Sequence, residues 1–178
     1  VLDTVSPVAR CKDVTITLND SGLAQFADDI INDGSTDNCG QVSQNVNNVF
    51  LNCANIGSFE FSFHPMDASG NSSSCSAMVT VVDQIAPTAV CRDLTVNLDE
   101  NGQASIDAAD LDGGSVDNCS GPLALTMASG NSVTLDCSYL RHSSYQTLIV
   151  ADASGNSARC ESGITVEDHA APVALCKD

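Results

Sequence analysis

Two residue types in this sequence could carry chemistry, cysteine and aspartate, and both recur at fixed intervals. Cys11, Cys39, Cys53 and Cys75 return as Cys91, Cys119, Cys137 and Cys160, and Cys176 is the ninth. Four thiols per interval could hold zinc, but no Cys-x-x-Cys pair exists and no His stands at ligand spacing, so disulfides are favoured. The acidic positions come in threes. The first set is Asp3, Asp37-Asn38, and Asp67 with Asn71; the second is Asp83, Asp117-Asn118, and Asp152 with Asn156. Asp168 repeats the first member once more. Carboxylates with amide and backbone oxygens suit Ca²⁺, which takes about six to eight oxygen ligands, better than the smaller octahedral Mg²⁺. Turn chemistry alone could give the same spacing, because Asx side chains bond their own backbone. Catalysis has no comparable signal. His64, His142 and His169 fall at non-equivalent places, so no Ser–His–Asp arrangement is shared between the copies, and the chain is not expected to be an enzyme.

Those recurrences belong to a longer repeat. Asp3-Thr4-Val5-Ser6-Pro7-Val8-Ala9-Arg10-Cys11-Lys12-Asp13 returns at Asp83 to Asp93 and again at Asp168 to Asp178, with offsets of 80 and 85. Thr36-Asp37-Asn38-Cys39 matches Val116-Asp117-Asn118-Cys119, and Met66-Asp67-Ala68-Ser69-Gly70-Asn71 matches Ala151-Asp152-Ala153-Ser154-Gly155-Asn156. Residues 3–82 are therefore one repeat and 83–167 a second, residues 168–178 open a truncated third, and residues 1–2 are the tail of a preceding one. The chain is expected to be a window on a longer tandem array. The partner of Cys176 is then expected in a repeat further along, which leaves it unpaired here.

Within each repeat the apolar period is two. Asp13-Val14-Thr15-Ile16-Thr17-Leu18 alternates, as does Asp93-Leu94-Thr95-Val96-Asn97-Leu98, and each run ends at a turn, Asn19-Asp20-Ser21-Gly22 or Asp99-Glu100-Asn101-Gly102. Phe59 to Phe63 alternates again, and Ala68-Ser69-Gly70-Asn71 turns the chain into Cys75 to Val81. No long helical stripe is present, though Asp28-Asp29-Ile30-Ile31 could make one short turn. The pattern predicts an all-β chain of tandem antiparallel sandwiches, about seven strands each. The cores look thin, since there is no Trp and all five Phe fall in the first repeat. Small domains of this kind need staples. Four cysteines allow three pairings. Strand order, which brings the first strand beside the last, favours Cys11–Cys75 with Cys39–Cys53, and Cys91–Cys160 with Cys119–Cys137. Disulfides point to a secreted or extracellular setting outside the reducing cytosol.

The Pro-x-x-x-Cys-x-Asp opening, the Thr-Asp-Asn-Cys block, the Asp-Ala-Ser-Gly-Asn turn and the Cys-x-x-x-Val-Thr-Val ending resemble hyalin (HYR) repeats. They are most similar to the four-cysteine form of Bacteroidota surface adhesins and filamentous proteins. The resemblance implies an immunoglobulin-like fold, tandem arrays on a cell surface, adhesive or structural roles, and calcium-dependent assembly. On an immunoglobulin-like frame the three acidic segments of a repeat meet at the pole where the chain enters, so Ca²⁺ is expected at the repeat junctions.

Charge narrows the partners. Six Lys+Arg stand against 23 Asp+Glu, a formal net charge of −17, which disfavours nucleic acid and anionic membrane surfaces. No run of apolar residues is long enough to insert in a bilayer. The expected partners are neighbouring repeats of the same chain or filament. The alternatives are a glycan- or protein-binding module built on the longer Cys119–Cys137 region with Tyr139, Arg141, His142 and Tyr145, and a self-assembling filament subunit.

Overall fold

The structure, a computed structural model, describes residues 3–40, 42–43, 47–140 and 142–171. The expectations placed on Val1, Leu2, Arg141 and Cys176, and on the part of the third repeat beyond residue 171, lie outside the described residues. The chain divides into two compact units, Val1–Ile85 and Ala86–Asp178, a boundary three residues beyond the one the repeat predicts.

In the first unit the strands are β1 (Val14–Thr17), β2 (Leu23–Ala27), β3 (Asn48–Asn52), β4 (Gly57–Phe63) and β5 (Cys75–Val82). They form two sheets, β1-β5-β4 and β2-β3. The second unit has β6 (Leu94–Asn97), β7 (Gln103–Asp107), β8 (Ala124–Met127), β9 (Ser132–Asp136), β10 (Ser144–Ala151) and β11 (Ser157–Glu167), in sheets β6-β11-β10-β8 and β7-β9. Each unit is an immunoglobulin-like sandwich. Two details depart from the prediction. The described strands number five and six rather than seven. One pairing in each unit is parallel, β1 with β5 and β6 with β11, because the first and last strands of the unit run the same way. Asp28–Ile31 does form the single short turn, as a 3₁₀ helix, and its counterpart Ala108–Leu111 is a four-residue helical turn capped by Asp107.

The strand pattern explains each core. On β5 the buried residues are Ala77, Val79 and Val81, the alternate positions that face β2 and β3. Phe26, Leu51, Phe63 and Leu18 are buried as well, and the rings of Phe26 and Phe61 meet edge-to-face at 5.7 Å. In the second unit Ile106, Leu135, Leu148 and Leu98 take the equivalent places, with no ring among them. One disulfide ties the leading segment of each unit to its last strand. Cys11–Cys75 spans 64 residues with Cα atoms 5.8 Å apart, and Cys91–Cys160 spans 69 residues with Cα atoms 5.7 Å apart. By chain entropy, each closure stabilises by about 4 kcal/mol.

The Cys-x-Asp motif has a structural task that spacing did not reveal. The Asp13 carboxylate accepts the Met78 N–H at 2.8 Å, and Asp93 accepts the Gly163 N–H at 2.8 Å. Each aspartate fastens the leading segment to the last strand just beyond the disulfide.

Candidate metal centre at the proximal pole

The pole where the chain enters a unit, here called proximal, is where β4 ends and β5 begins, since Phe63 pairs with Cys75. The distal pole is where β5 ends beside β1, since Thr17 pairs with Val82. At the proximal pole of the first unit, ligand atoms of Asp3, Asp37 and Cys39 all lie within 4.8 Å of one another. Local turns put them there. One oxygen of Asp3 accepts the Val5 N–H at 3.0 Å, and one oxygen of Asp37 accepts the Cys39 N–H at 2.8 Å. Each Asx turn uses one oxygen of its carboxylate. Asp37 Oδ1 is buried and accepts no hydrogen bond.

The Asp67–Asn71 turn serves differently. Asp67 Oδ1 accepts the N–H groups of Ser69 and Asn71, both at 2.8 Å, and Oδ2 accepts the Asn71 side-chain amide at 2.7 Å. That amide also donates to the Asp3 carbonyl at 3.1 Å, which fixes the linker against the turn. Both carboxylate oxygens are committed to the turn, so Asp67 and Asn71 clamp the pole. The Asn71 side chain, followed by the N–H groups of Asn71, Ser69 and Gly70, holds the Asp67 carboxyl below the usual carboxylate range, against the opposing effect of its burial. Asn38 sits exposed in the loop.

The second repeat reproduces the parts. Asp117 Oδ2 accepts the Cys119 N–H at 2.9 Å, and Asp117 Oδ1 is buried without a hydrogen-bond partner. Asp152 Oδ1 accepts the Asn156 N–H and Oδ2 its side-chain amide, both at 2.8 Å. Asp83 is buried and accepts the Ile85 N–H at 3.1 Å, Asn118 is half-buried, and exposed Asp168 accepts the Ala170 N–H at 2.9 Å. An orphaned carboxylate oxygen at the same position of both repeats fits an oxygen-seeking cation. Asp37 and Asp117 are the residues that fit it best, with Asp3 alongside Asp37.

The cysteines require a correction. Cys39–Cys53 and Cys119–Cys137 are not formed. Cys39 and Cys137 are free and exposed, whereas Cys53 and Cys119 are disulfide-bonded. The reason is strand direction. Cys39 lies at the proximal pole beside Asp37. The chain then climbs β3, and the Cys53 sulfur stands 3.6 Å from the Gly22 carbonyl in the distal hairpin. Cys119 is likewise proximal. Cys137 is distal, with its sulfur 3.8 Å from the Gly102 carbonyl. Gly102 has a φ of +73°, and a Cβ there would fall 2.9 Å from that sulfur, so the hairpin is fitted closely around Cys137. β5, with eight residues between the poles, is about 23 Å long at the usual strand rise. A disulfide needs Cα atoms within about 7 Å. The Cys39 thiol is pushed above its ordinary range by a hydrogen bond with Asp3, by burial, and by the charges of Asp3, Asp37 and Asp67.

No protein-family profile matches this sequence, and no curated protein matches it. Solved structures do resemble it. The two immunoglobulin domains IG1 and IG2 of DIP-gamma align over 92% of this chain and 98% of theirs, with 12% identity and a TM-score of 0.38. Extracellular cadherin domains 1–4 of protocadherin gamma B7 align over 92% of this chain and 51% of theirs, with 14% identity and a TM-score of 0.43. Human mucin-like protocadherin EC1-2 aligns over 89% and 96%, with 12% identity and a TM-score of 0.42. The strand order and the two disulfides described above define the fold of this chain independently of these likenesses.

The tyrosines do not form a joint platform. Tyr145 is 67% exposed, but Tyr139 packs against the core of the second unit. Among the described residues, no helix is long and apolar enough to cross a membrane.

Proposed function

We propose that this chain is a structural and adhesive segment of an extracellular tandem-repeat stalk or fibre of the hyalin-like kind, stiffened by Ca²⁺ at the proximal pole of each repeat. The observation that carries the reading is the buried, unpartnered Oδ1 of Asp37, repeated at Asp117. A buried carboxylate oxygen without a donor costs free energy, and a cation removes that cost. In the first repeat Asp3 brings a second carboxylate to the same point, so the linker becomes a ligand. Binding there ties the linker to the loop of Asp37 and neutralises like charges, two effects that stiffen an array. Hard oxygen donors favour Ca²⁺, because Cys119, being disulfide-bonded, offers no thiolate at the equivalent place in the second repeat. The disulfides favour an oxidising compartment, and the net charge of −17 keeps such arrays apart and soluble.

Small-angle X-ray scattering with and without chelator tests the reading. The radius of gyration is expected to change on chelation and to return when Ca²⁺ is restored. Superimposable curves, together with no heat of Ca²⁺ binding by calorimetry, would falsify the calcium part.

A further inference from the structure

The larger sheet of the second unit carries a glycine that its backbone does not need. Gly163 lies within β11 and pairs with Tyr145 of β10 in an unbroken register, and its φ is outside the left-handed region. Neither a bulge nor a positive φ calls for it. The clasp does not call for it either. Asp93 accepts the Gly163 N–H at 2.8 Å, and in the first unit Asp13 accepts the Met78 N–H at 2.8 Å, with a full side chain at that place. A glycine inside a strand weakens it, and often marks a point that a ligand approaches closely.

Three residues form a row across the strands: Asp93 beside Gly163, and Gly163 opposite Tyr145. Neighbouring strands lie about 4.8 Å apart, so the carboxylate and the phenol flank an open floor. A Cβ at Gly163 would stand 3.1 Å from Asp93 Oδ1 and 3.8 Å from Oδ2, so both oxygens border that floor. Ser143 and Thr165 line the same cleft, which holds about 210 Å³, and Tyr145 is 67% exposed. The cleft is smaller than a drug-sized pocket, about 300–1,000 Å³, and suits a single small ring. In the first unit the row reads Asp13, Met78, Glu60. Ser58 and Thr80 stand there in place of Ser143 and Thr165. The row itself therefore differs at two places, Gly163 for Met78 and Tyr145 for Glu60.

We propose that this row is a subsite for one neutral pyranose ring. The C–H face of the sugar lies on the Tyr145 ring, and its hydroxyls donate to the Asp93 carboxylate and exchange hydrogen bonds with Ser143 and Thr165. The glycine floor lets the ring reach the strand. A net charge of −17, with Glu161 exposed on the same face of β11, disfavours acidic sugars. A basic side chain offers only donors, so it would use the carboxylate and leave the hydroxyl donors unmet. The subsite gives one repeat an adhesive contact and does not depend on the cation.

The test is nuclear magnetic resonance of the full chain with ring-labelled tyrosine, in chelator so that the cation plays no part. Tyr139 and Tyr145 are the two tyrosines, so one Phe substitution assigns both signals. The probes are the methyl glycosides of glucose, galactose, mannose and N-acetylglucosamine. At least one should shift the Tyr145 signal saturably and leave Tyr139 in place. Tyr145→Ala should weaken that binding about tenfold, read by saturation transfer to the sugar, and Tyr145→Phe should keep most of it. Gly163→Met, which installs the first unit's residue, should abolish it with the circular dichroism spectrum unchanged. The converse pair, Met78→Gly with Glu60→Tyr, should create a second responsive ring in the first unit. No shift with any glycoside would overturn the proposal. So would binding that survives Gly163→Met, or a converse pair that leaves the first unit silent. Tighter binding of acetyl-arginine amide than of every glycoside would also overturn it, and would make the row a site for a basic side chain.

Discussion

The two repeats build one sandwich with different fillings and opposite cysteine states. The first relies on rings, with Phe26 and Phe63 buried and Phe61 against Phe26, while the second places Ile106 and Leu148 at the two buried positions. The first has its proximal cysteine free and its distal one oxidised, and the second has the reverse. What stays constant is more instructive: the Cys11–Cys75 and Cys91–Cys160 closures, the Asp13 and Asp93 clasps, and the Asp37 and Asp117 orphan oxygens. Core composition can drift because volume can be supplied by aromatic or aliphatic groups. The fixed features are covalent closures and carboxylates that accept backbone N–H groups at set points of the fold.

Breaking the closures should give the largest effect. Replacing both members of Cys11–Cys75 with Ser should cost the first repeat about 4 kcal/mol, and the matching change at Cys91–Cys160 should cost the second about as much. Denaturant unfolding of each variant should show one early transition and one unchanged. If both transitions move together, the repeats do not unfold independently.

Truncating the core comes next and sharpens the contrast in filling. Phe63→Ala should cost about 3–5 kcal/mol and Leu148→Ala about 2–5 kcal/mol, with the larger cavity left by the ring. The same denaturation curves measure both. A smaller loss at Phe63 would show that the first core collapses around the vacancy more readily than the second.

The cation site should divide the repeats less. In the presence of Ca²⁺ at about a hundredfold its dissociation constant, binding should add about 2.7 kcal/mol to stability. Asp37→Asn should remove that increment from the first repeat and Asp117→Asn from the second. Without Ca²⁺ both variants should melt at or slightly above the parent temperature, because a buried charge has been removed. Thermal melts with and without chelator read the difference.

Acid should separate the repeats least. Asp67 in the first repeat is held low by the Asn71 side chain. In the second repeat Asp99 is held low chiefly by the Gln103 N–H, Asp112 by the Ser115 side chain, and Asp136 by the Ser138 side chain. A carboxyl whose folded value lies below the unfolded one, about 3.9, stabilises fully above that pH, and the stabilisation disappears as pH falls through the folded value. Both repeats should therefore weaken below about pH 4. The second should weaken slightly more, although Asp99 and Asp136 are exposed and water screens their contribution. Urea titrations at pH 7 and pH 3 measure this.

Much of this was readable from the residues. Alternation at Val14 to Leu18 and at Phe59 to Phe63 located β1 and β4, because burial on one sheet face imposes a period of two. First-to-last strand adjacency was enough to pair Cys11 with Cys75. The proximal gathering of Asp3 and Asp37 followed from the same frame. The fate of Cys39 and Cys53 was not legible in that way. Thirteen residues lie between them in sequence, which looks like a short loop closure, but those residues include β3 and carry the chain from one pole to the other. Spacing counts residues and is blind to direction. Nor did spacing distinguish Asp67, whose oxygens are consumed by its own turn, from Asp37, which keeps one oxygen open.

The parallel pairing of β1 with β5 sets how a repeat carries tension. A pull on the chain arrives at Cys11, crosses the sulfur bridge to Cys75 and leaves along β5. The 64 residues spanned by that bridge, about 220 Å of contour if drawn straight, are bypassed. Once the bridge is reduced the load passes through β1, which lies parallel beside β5 and is pulled in shear, so its hydrogen bonds would have to fail together rather than one by one. In a force-extension trace, an oxidised repeat should yield only a few residues of slack, and a reducing agent should release the hidden length in a single step. The thin core that seemed a weakness can therefore melt without the tether lengthening.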